Sequence, residues 1–326
     1  MKVKAIALFS GGLDSILAVK VIQEQDIDVL LGITFVTPFF GAKKSIEASK
    51  MIGLPLLPID ITEEHLAMLK APKYGYGRNM NPCIDCHALM LKIAGEKMEE
   101  LGADFLITGE VLGQRPMSQG KQSLHVVAKN SGYNGYVLRP LSANLLPETI
   151  PETEGKVNRE SLFDIQGRGR KRQMEMAKKY GITNYSTPAG GCLLTDPMFS
   201  KRLKDLFEHQ KDFKIRDIEL LKSGRHIRLN EKTKIIVGRN KKDNAHIQGL
   251  SQDEDTIITM KDFPGPTVLI PYGCDDTALN RAAAICALYS DAPDDEEVTA
   301  ISKTGTTDRS ISTTAAKRED IKDLII

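Results

Sequence analysis

Three short stretches hold residues whose types and spacing can do chemistry. The first is "SGGLDS", in which Ser10, Gly11, Gly12, Leu13, Asp14 and Ser15 lie between an apolar run and a helix-like segment. Glycines let the backbone come close to a ligand, and the N–H groups that open a helix aim partial positive charge at it, so the natural guest is a phosphate. A common P-loop places a lysine followed by Ser or Thr after its second glycine. This turn has no lysine, so it is a phosphate loop of another kind. Its backbone and hydroxyl donors suit a departing pyrophosphate, and Asp14 can hold Mg²⁺ or orient a substrate.

The other two stretches carry sulfur. "NPCIDCH" sets Cys83 and Cys86 in a CxxC, and "GGCLLTD" adds Cys192 from a distant loop. A CxxC lets two thiolates face one metal, and a third brought by folding leaves one position open. Three thiolates with one iron uncapped suit a 4Fe-4S cluster whose free iron can take up sulfide, whereas the same trio plus a fourth ligand suits zinc. His87 is the obvious fourth candidate, although an incidental helix residue is the plainer reading. Three unrelated buried thiols are the bland alternative. Cys274 and Cys286 stand isolated among residues of a helix or its start and read as core.

Strands and helices must position these groups. Apolar runs at residues 5–9, 29–36, 54–59 and 105–108 alternate with helix-like segments at 15–24, 43–52, 63–70 and 88–101. That alternation predicts an α/β fold with a doubly wound parallel sheet, whose ligand lies beyond the carboxyl ends of the strands, where residues 10–15 fall. A further strand is expected at 136–141 and a helix at 171–179. From about residue 212 the rhythm changes: helices at 215–222 and 244–250, and strands at 226–229, 234–238, 256–260 and 267–270, read as a second, smaller α+β domain. The segment from 292 is acidic, then Ser/Thr-rich, and reads as a tail without an assignable mechanism.

Composition narrows the class. Forty-four Lys and Arg against 43 Asp and Glu leave a net charge of +1, so any nucleic-acid surface must come from uneven placement of charge. Residues 201–246 supply it, with 14 Lys and Arg against seven Asp and Glu, an excess that suits phosphate backbones. No run of about 18 apolar residues could span a membrane, and the first strand starts without a signal-like segment, so the protein is expected to be cytoplasmic with no membrane partner. Five cysteines in a reducing compartment favour metal or catalytic sulfur over disulfides.

"SGGLDS" after a hydrophobic strand resembles the PP-loop of the ATP pyrophosphatases, which split ATP into AMP and pyrophosphate and attach AMP to a substrate oxygen. The resemblance implies an adenine nucleotide alpha hydrolase-like fold, with ATP and Mg²⁺ as cofactors at Ser10, Gly11, Gly12, Leu13, Asp14 and Ser15. "LITGEVLGQRPMSQ", residues 106–119, resembles the second signature of the tRNA 4-thiouridine synthases. It implies that Gly109 and Glu110 stand at a strand's carboxyl end, with Gln114, Arg115, Ser118 and Gln119 in the loop above the nucleotide; "LRPL" at 138–141 continues the likeness. Thiolating PP-loop enzymes pair a CxxC cysteine with one in a GGC-type loop, either as a persulfide pair or, with a third cysteine, as cluster ligands. The match extends to Asn81 and Pro82 before the CxxC and to Thr195 and Asp196 after Cys192.

Thiouridine synthases normally carry an N-terminal RNA-binding extension called THUMP, which is expected to be missing because the PP-loop strand begins at Lys4. Residues 220–247, with their "GRN" and "DN" pairs, instead resemble the small RNA-binding domain of NFACT proteins and imply a replacement grip on RNA through Arg225, Arg228, Arg239, Lys241 and Lys242. The expected organisation is a thiolation domain over 1–200, an NFACT-like domain over 212–291 and a tail over 292–326. The expected activity is ATP-dependent tRNA uridine thiolation, with Asp14, Cys83 and Cys192 catalytic. It makes 4-thiouridine at position 8 with tRNA and a sulfur donor, sulfide or a cysteine desulfurase, as partners; a homodimer is compatible with this. The rivals are 2-thiouridine synthesis, a PP-loop ligase or thiolase acting on a small molecule, and a non-catalytic RNA-binding protein.

Overall fold

The computed structural model describes residues 2–115, 117–185 and 191–326. Pro116 and the first glycine of the GGC loop, Gly190, lie outside the described residues. The chain divides into two compact units, Met1–Thr195 and Asp196–Ile326.

The first unit runs β1 (Lys4–Leu8), α1 (Leu13–Gln23), β2 (Asp28–Val36), α2 (Lys43–Ile52), β3 (Leu56–Asp60), α3 (Thr62–Lys70), α4 (Cys83–Glu100), β4 (Phe105–Thr108), α5 (Lys121–Ser131), β5 (Val137–Leu138), α6 (Ile150–Thr153) and α7 (Lys171–Lys179). Its strands form one sheet in the order β3-β2-β1-β4-β5, parallel throughout. Helices must then cover both faces, and successive residues of β1 serve different cores. Ala5 and Ala7 pack with Leu13, Ile16 and Leu17 of α1, whereas Ile6 packs with Leu91, Ala94 and Met98 of α4. The order reverses between β1 and β4. That switch point is where an open parallel sheet leaves a crevice for a ligand.

Two boundaries differ from the expected ones in ways that matter for the site. Helix α4 starts at Cys83, not at residue 88, so the CxxC lies on its first turn; Pro82 sits at the cap, and the Cys86 N–H donates to the Pro82 carbonyl at 2.9 Å. The apolar stripe that advertises this helix begins only later, at Ala88 and Leu91. The edge strand β5 keeps two residues of the six expected, because Pro140 offers no N–H to extend a ladder.

The second unit runs α8 (Pro197–His209), α9 (Ile215–Leu220), β6 (Arg225–Arg228), β7 (Lys234–Val237), α10 (Lys241–Leu250), β8 (Thr256–Met260), β9 (Val268–Ile270), α11 (Asp276–Leu288), β10 (Val298–Thr304), β11 (Thr307–Thr313) and α12 (Arg318–Ile321). Its sheet has the order β11-β10-β8-β9-β7-β6 and is antiparallel throughout. Helix α11 covers one face through Ala282, Ala283 and Cys286, so Cys286 is a core thiol. Residues 292–326, expected as a tail, instead supply a hairpin that joins the sheet beside β8. Val298, Ala300 and Ile311 are buried there. The Thr-rich composition that masks this segment as a linker is also strand-forming, because Thr is β-branched.

Candidate active site

The PP-loop closes β1 onto α1 at the switch point. Gly11 has φ +72°, and a Cβ there would stand 2.5 Å from the Lys44 carbonyl oxygen, so two separate constraints demand glycine. Gly109, one residue past β4, touches the loop from the neighbouring strand: a Cβ on it would lie 2.4 Å from the Ser15 nitrogen. The two sequence signatures therefore meet in direct contact across β1 and β4. Gly12 caps α1 without a side-chain cap bond, which leaves first-turn N–H groups for a phosphate. The Ser15 hydroxyl donates to the Gly12 carbonyl at 2.8 Å and lies 3.4 Å from the Ser10 hydroxyl. The Leu13 side chain is buried in the core, so only its backbone faces the loop.

Asp14 is the polarised group of this site. Its Oδ2 accepts from the Gln114 amide at 3.1 Å, while Oδ1 is buried with no hydrogen-bond partner among the described residues. Burial pushes its carboxyl upward, against the pull of Gln114, Arg170, Gln173 and Arg115. Gln119 Oε1 and Arg170 Nε are likewise buried without partners among the described residues. Orphaned buried polar atoms are costly and rare in folded chains. A cradle of them around one phosphate loop suits a polar, charged ligand with a cation. Arg170 and Gln173, at the start of α7, are absent from both sequence signatures and are brought in only by the fold.

Glu110 follows Gly109 at the carboxyl end of β4, as expected, and its carboxylate is engaged by protein groups. It is 8 % exposed, and its oxygens are taken by His87 Nδ1 at 2.9 Å and Arg139 Nε at 2.9 Å, with the Thr108 hydroxyl at 3.3 Å. Burial alone would raise its carboxyl, but Arg139 and His87 outweigh this and hold it at about 2. The network ties α4, β4 and the residue after β5 together beneath the crevice. His87, the expected fourth zinc ligand, thus gives one ring nitrogen to a carboxylate. The partner Arg139 was visible in "LRPL", though nothing in the sequence pairs it with Glu110. Glu110→Gln leaves the buried Arg139 guanidinium without an anion and is expected to cost about 3 kcal/mol of folding stability, read from denaturant midpoints.

The sulfur residues assemble beside this crevice. Cys83 opens α4 and accepts from the Asn81 side-chain amide at 3.2 Å; Cys86 lies one turn on, its sulfur 3.5 Å from His65 Nε2. Cys192 comes from a loop pinned at two points: the Leu193 N–H donates to the Phe39 carbonyl at 3.0 Å, and Asn79 donates to the Thr195 carbonyl at 2.8 Å. Each of the three thiols lies within electrostatic reach of the other two. Burial pushes Cys86 well up, with Cys192 and Cys83 adding to it, and pushes Cys192 up to about 11. Among the described residues, no three His, Cys, Asp or Glu side chains already stand in metal-holding geometry. The donor chemistry nevertheless fits a soft metal group: two thiols on one helical turn and a third on an anchored loop. His65, which sequence alone did not single out, is buried against Phe39 and Phe40, with ring centroids 5.5 Å apart in each case, and burial lowers its pKa to about 4.

The five cations expected to grip RNA are distributed unevenly in the second unit. Arg228 bonds Asp205 through Nε at 2.9 Å and Nη2 at 2.5 Å, and Arg239 Nε bonds Asp243 at 2.6 Å. Lys241 and Lys242 open α10 and are exposed. Arg225 stacks over the Tyr289 ring with its guanidinium carbon 4.6 Å from the centroid. Among the described residues no helix is long and apolar enough to cross a membrane.

Comparison with known proteins follows the same division. Residues 1–146 match the family model "Thiamine biosynthesis protein (ThiI)", and residues 224–325 match "NFACT protein RNA binding domain". The chain is similar to the tRNA-specific 2-thiouridylase MnmA of Listeria monocytogenes, 24 % identical over 225 residues that cover 64 % of this chain and 57 % of the relative. A second relative, tRNA-specific 2-thiouridylase MnmA 1 of Clostridium tetani, is 32 % identical over 125 residues, covering 33 % of this chain and 34 % of its own. The matches therefore span little more than half the length of the first relative and about a third of the second. Among solved structures, the U34-tRNA thiolase NcsA from Methanococcus maripaludis with its [4Fe-4S] cluster matches at TM-score 0.33 and 17 % identity, over 58 % of this chain and 61 % of that one. The chain is thus similar to ThiI proteins over residues 1–146, in its first compact unit, and to NFACT RNA-binding domains over residues 224–325, in its second.

Proposed function

We propose that the protein is an ATP-dependent, cytoplasmic tRNA uridine thiolase. The observation that carries this reading is a chain of contacts: Gly109 touches Ser15 of the phosphate loop, and the adjacent Glu110 bonds His87, the residue after Cys86, at 2.9 Å. The phosphate loop and the sulfur residues thus share one neighbourhood, as adenylation followed by sulfur transfer requires. A uridine carbonyl oxygen attacks the α-phosphate of ATP, and pyrophosphate leaves into the loop of Ser10, Gly11, Gly12 and Ser15. A poor leaving oxygen has become a good one. Sulfur then forms a bond to the activated carbon, and the C–O bond to AMP breaks.

The chain's own groups divide this work. The opening N–H groups of α1 and the Ser10 and Ser15 hydroxyls bind the departing pyrophosphate, Asp14, whose Oδ1 has no hydrogen-bond partner among the described residues, would hold Mg²⁺, and Gln114 fixes the rotamer of that carboxylate. Cys83, Cys86 and Cys192 would hold a 4Fe-4S cluster, with zinc or a persulfide pair as the competing use of the same thiols. When bound, such a cluster supplies a place for a sulfide ion delivered by a sulfur donor. The ThiI match and the "GEVLGQRPMSQ" segment favour 4-thiouridine at position 8. The 2-thiouridylase relatives favour a 2-thiouridine product, and the two are isomers that chromatography separates.

The direct test is product release by the purified protein. With ATP, Mg²⁺ and sulfide under anaerobic conditions, AMP should appear only when tRNA is added. AMP formed at the same rate without RNA would move the assignment to a small-molecule ligase.

A further inference from the structure

The second unit contains a pocket of about 540 Å³ lined by Arg225, Tyr289, Arg318, Glu319, Ile321, Lys322 and Ile325. It is built by β6, the end of α11 and the segment that follows the β10–β11 hairpin, all within residues 224–325. That segment is fastened to the edge strand β6: Ile325 pairs with Ile227 in an antiparallel bridge, and the Ile326 N–H donates to the His226 carbonyl at 3.0 Å. Ile321 is buried in the core beneath it. Arg318 and Lys322 are exposed. The Arg225 guanidinium carbon lies over the Tyr289 ring, 4.6 Å from its centroid.

This arrangement differs from that of three other arginines of the unit. Arg228, Arg239 and Arg216 are consumed by Asp205, Asp243 and Asp255. Among the described residues, Arg225, Arg318 and Lys322 have no carboxylate within ion-pair distance. The pocket therefore combines a guanidinium–phenol contact, the apolar side chains of Ile321 and Ile325, and the two cations Arg318 and Lys322, which outnumber the single carboxylate of Glu319. A flat aromatic or guanidinium surface accepts an unstacked base of any type, and neighbouring cations accept its phosphates. A folded helix of RNA cannot insert a base without unpairing it, so the ligand is a nucleotide in a single-stranded loop.

We propose that this pocket binds one unpaired nucleotide of the RNA substrate, its base stacked on the Arg225–Tyr289 pair and its flanking phosphates held by Arg318 and Lys322. The inference rests on the tRNA-binding part of the proposed function and adds to it a binding site, its ligand and the residues that make it.

The test measures binding of the full chain to unmodified tRNA and to a ten-residue oligouridine across a salt series. Tyr289→Leu should weaken both by about ten-fold with the salt slope unchanged, since only stacking is lost. Tyr289→Phe should bind as the parent does. Arg318→Ala and Lys322→Ala should each lower the slope by about 0.7 to 0.9, the share of one phosphate. Thermal melting of each variant checks the fold; if Tyr289→Leu unfolds, the Phe variant and the two cation variants decide. Parent-like affinity and slope in Arg318→Ala and Lys322→Ala would overturn the pocket while leaving RNA binding standing, and so would a loss in Tyr289→Phe as large as in the Leu variant. A parent protein that binds neither RNA would overturn the RNA reading itself, and the pocket with it.

Discussion

Asp14→Ala is expected to reduce AMP and pyrophosphate release by about a thousand-fold while leaving the protein as stable as before, or more stable. The loss follows from where the carboxylate sits: Asp14 stands at the phosphate loop with an Oδ1 that has no hydrogen-bond partner among the described residues, and removing a single preorganised charge contact in such a site costs two to three powers of ten. The stability result follows from the same atom. A buried carboxylate oxygen without a hydrogen-bond partner is a cost to the folded state, which Gln114 Nε2, 3.1 Å from Oδ2, offsets in part. Alanine removes that cost, in line with the usual trade of stability for function at active sites. A variant that melts earlier and keeps its turnover would mean that Asp14 serves the fold and not the nucleotide.

The second large effect concerns sulfur. Cys83→Ala, Cys86→Ala and Cys192→Ala should each abolish thiolation while tRNA-dependent AMP release survives, because none of the thiols belongs to the phosphate loop and sulfur enters the reaction only after adenylation. If the three hold a cluster, anaerobically purified parent protein should be brown, with about four irons per chain, and each variant should lose the colour. The three-way electrostatic contact among these thiols is the reason to expect equal effects at all three positions. A persulfide pair would need only two of them, so full thiolation by Cys86→Ala would exclude the cluster. A colourless anaerobic preparation holding stoichiometric zinc would do the same.

The parallel sheet was legible because buried parallel strands read as apolar runs, and residues 105–108 and 43–52 came out with the bounds the pattern gave. The PP-loop and the Gly109 turn were legible because backbone proximity selects glycine, and their mutual contact in the fold explains why two signatures nearly a hundred residues apart occur together. Other features were hidden for physical reasons. Helix α8 (Pro197–His209) carries seven charged or polar residues that conceal its buried face of Phe199, Leu203 and Leu206. The final hairpin was hidden by Ser and Thr, which serve linkers and strands alike. In the site, Arg170, Gln173 and His65 act through tertiary neighbours, and a local pattern carries no information about which distant carboxylate or thiol a side chain will meet. The same limit applies to the basic domain. Counting cations finds the charge excess, but only the fold separates Arg228 and Arg239, engaged by Asp205 and Asp243, from Arg225, Arg318 and Lys322.

The central claim, that ATP is spent to place sulfur on a tRNA uridine, is tested most directly by mass spectrometry of nucleosides from total tRNA of cells with and without the gene. The account predicts that 4-thiouridine disappears on deletion and returns with the parent protein but not with Asp14→Ala. Loss of 2-thiouridine alone would keep the chemistry and change the position. A thiouridine profile identical in both strains, with every thiolated nucleoside at its original level, would contradict the account.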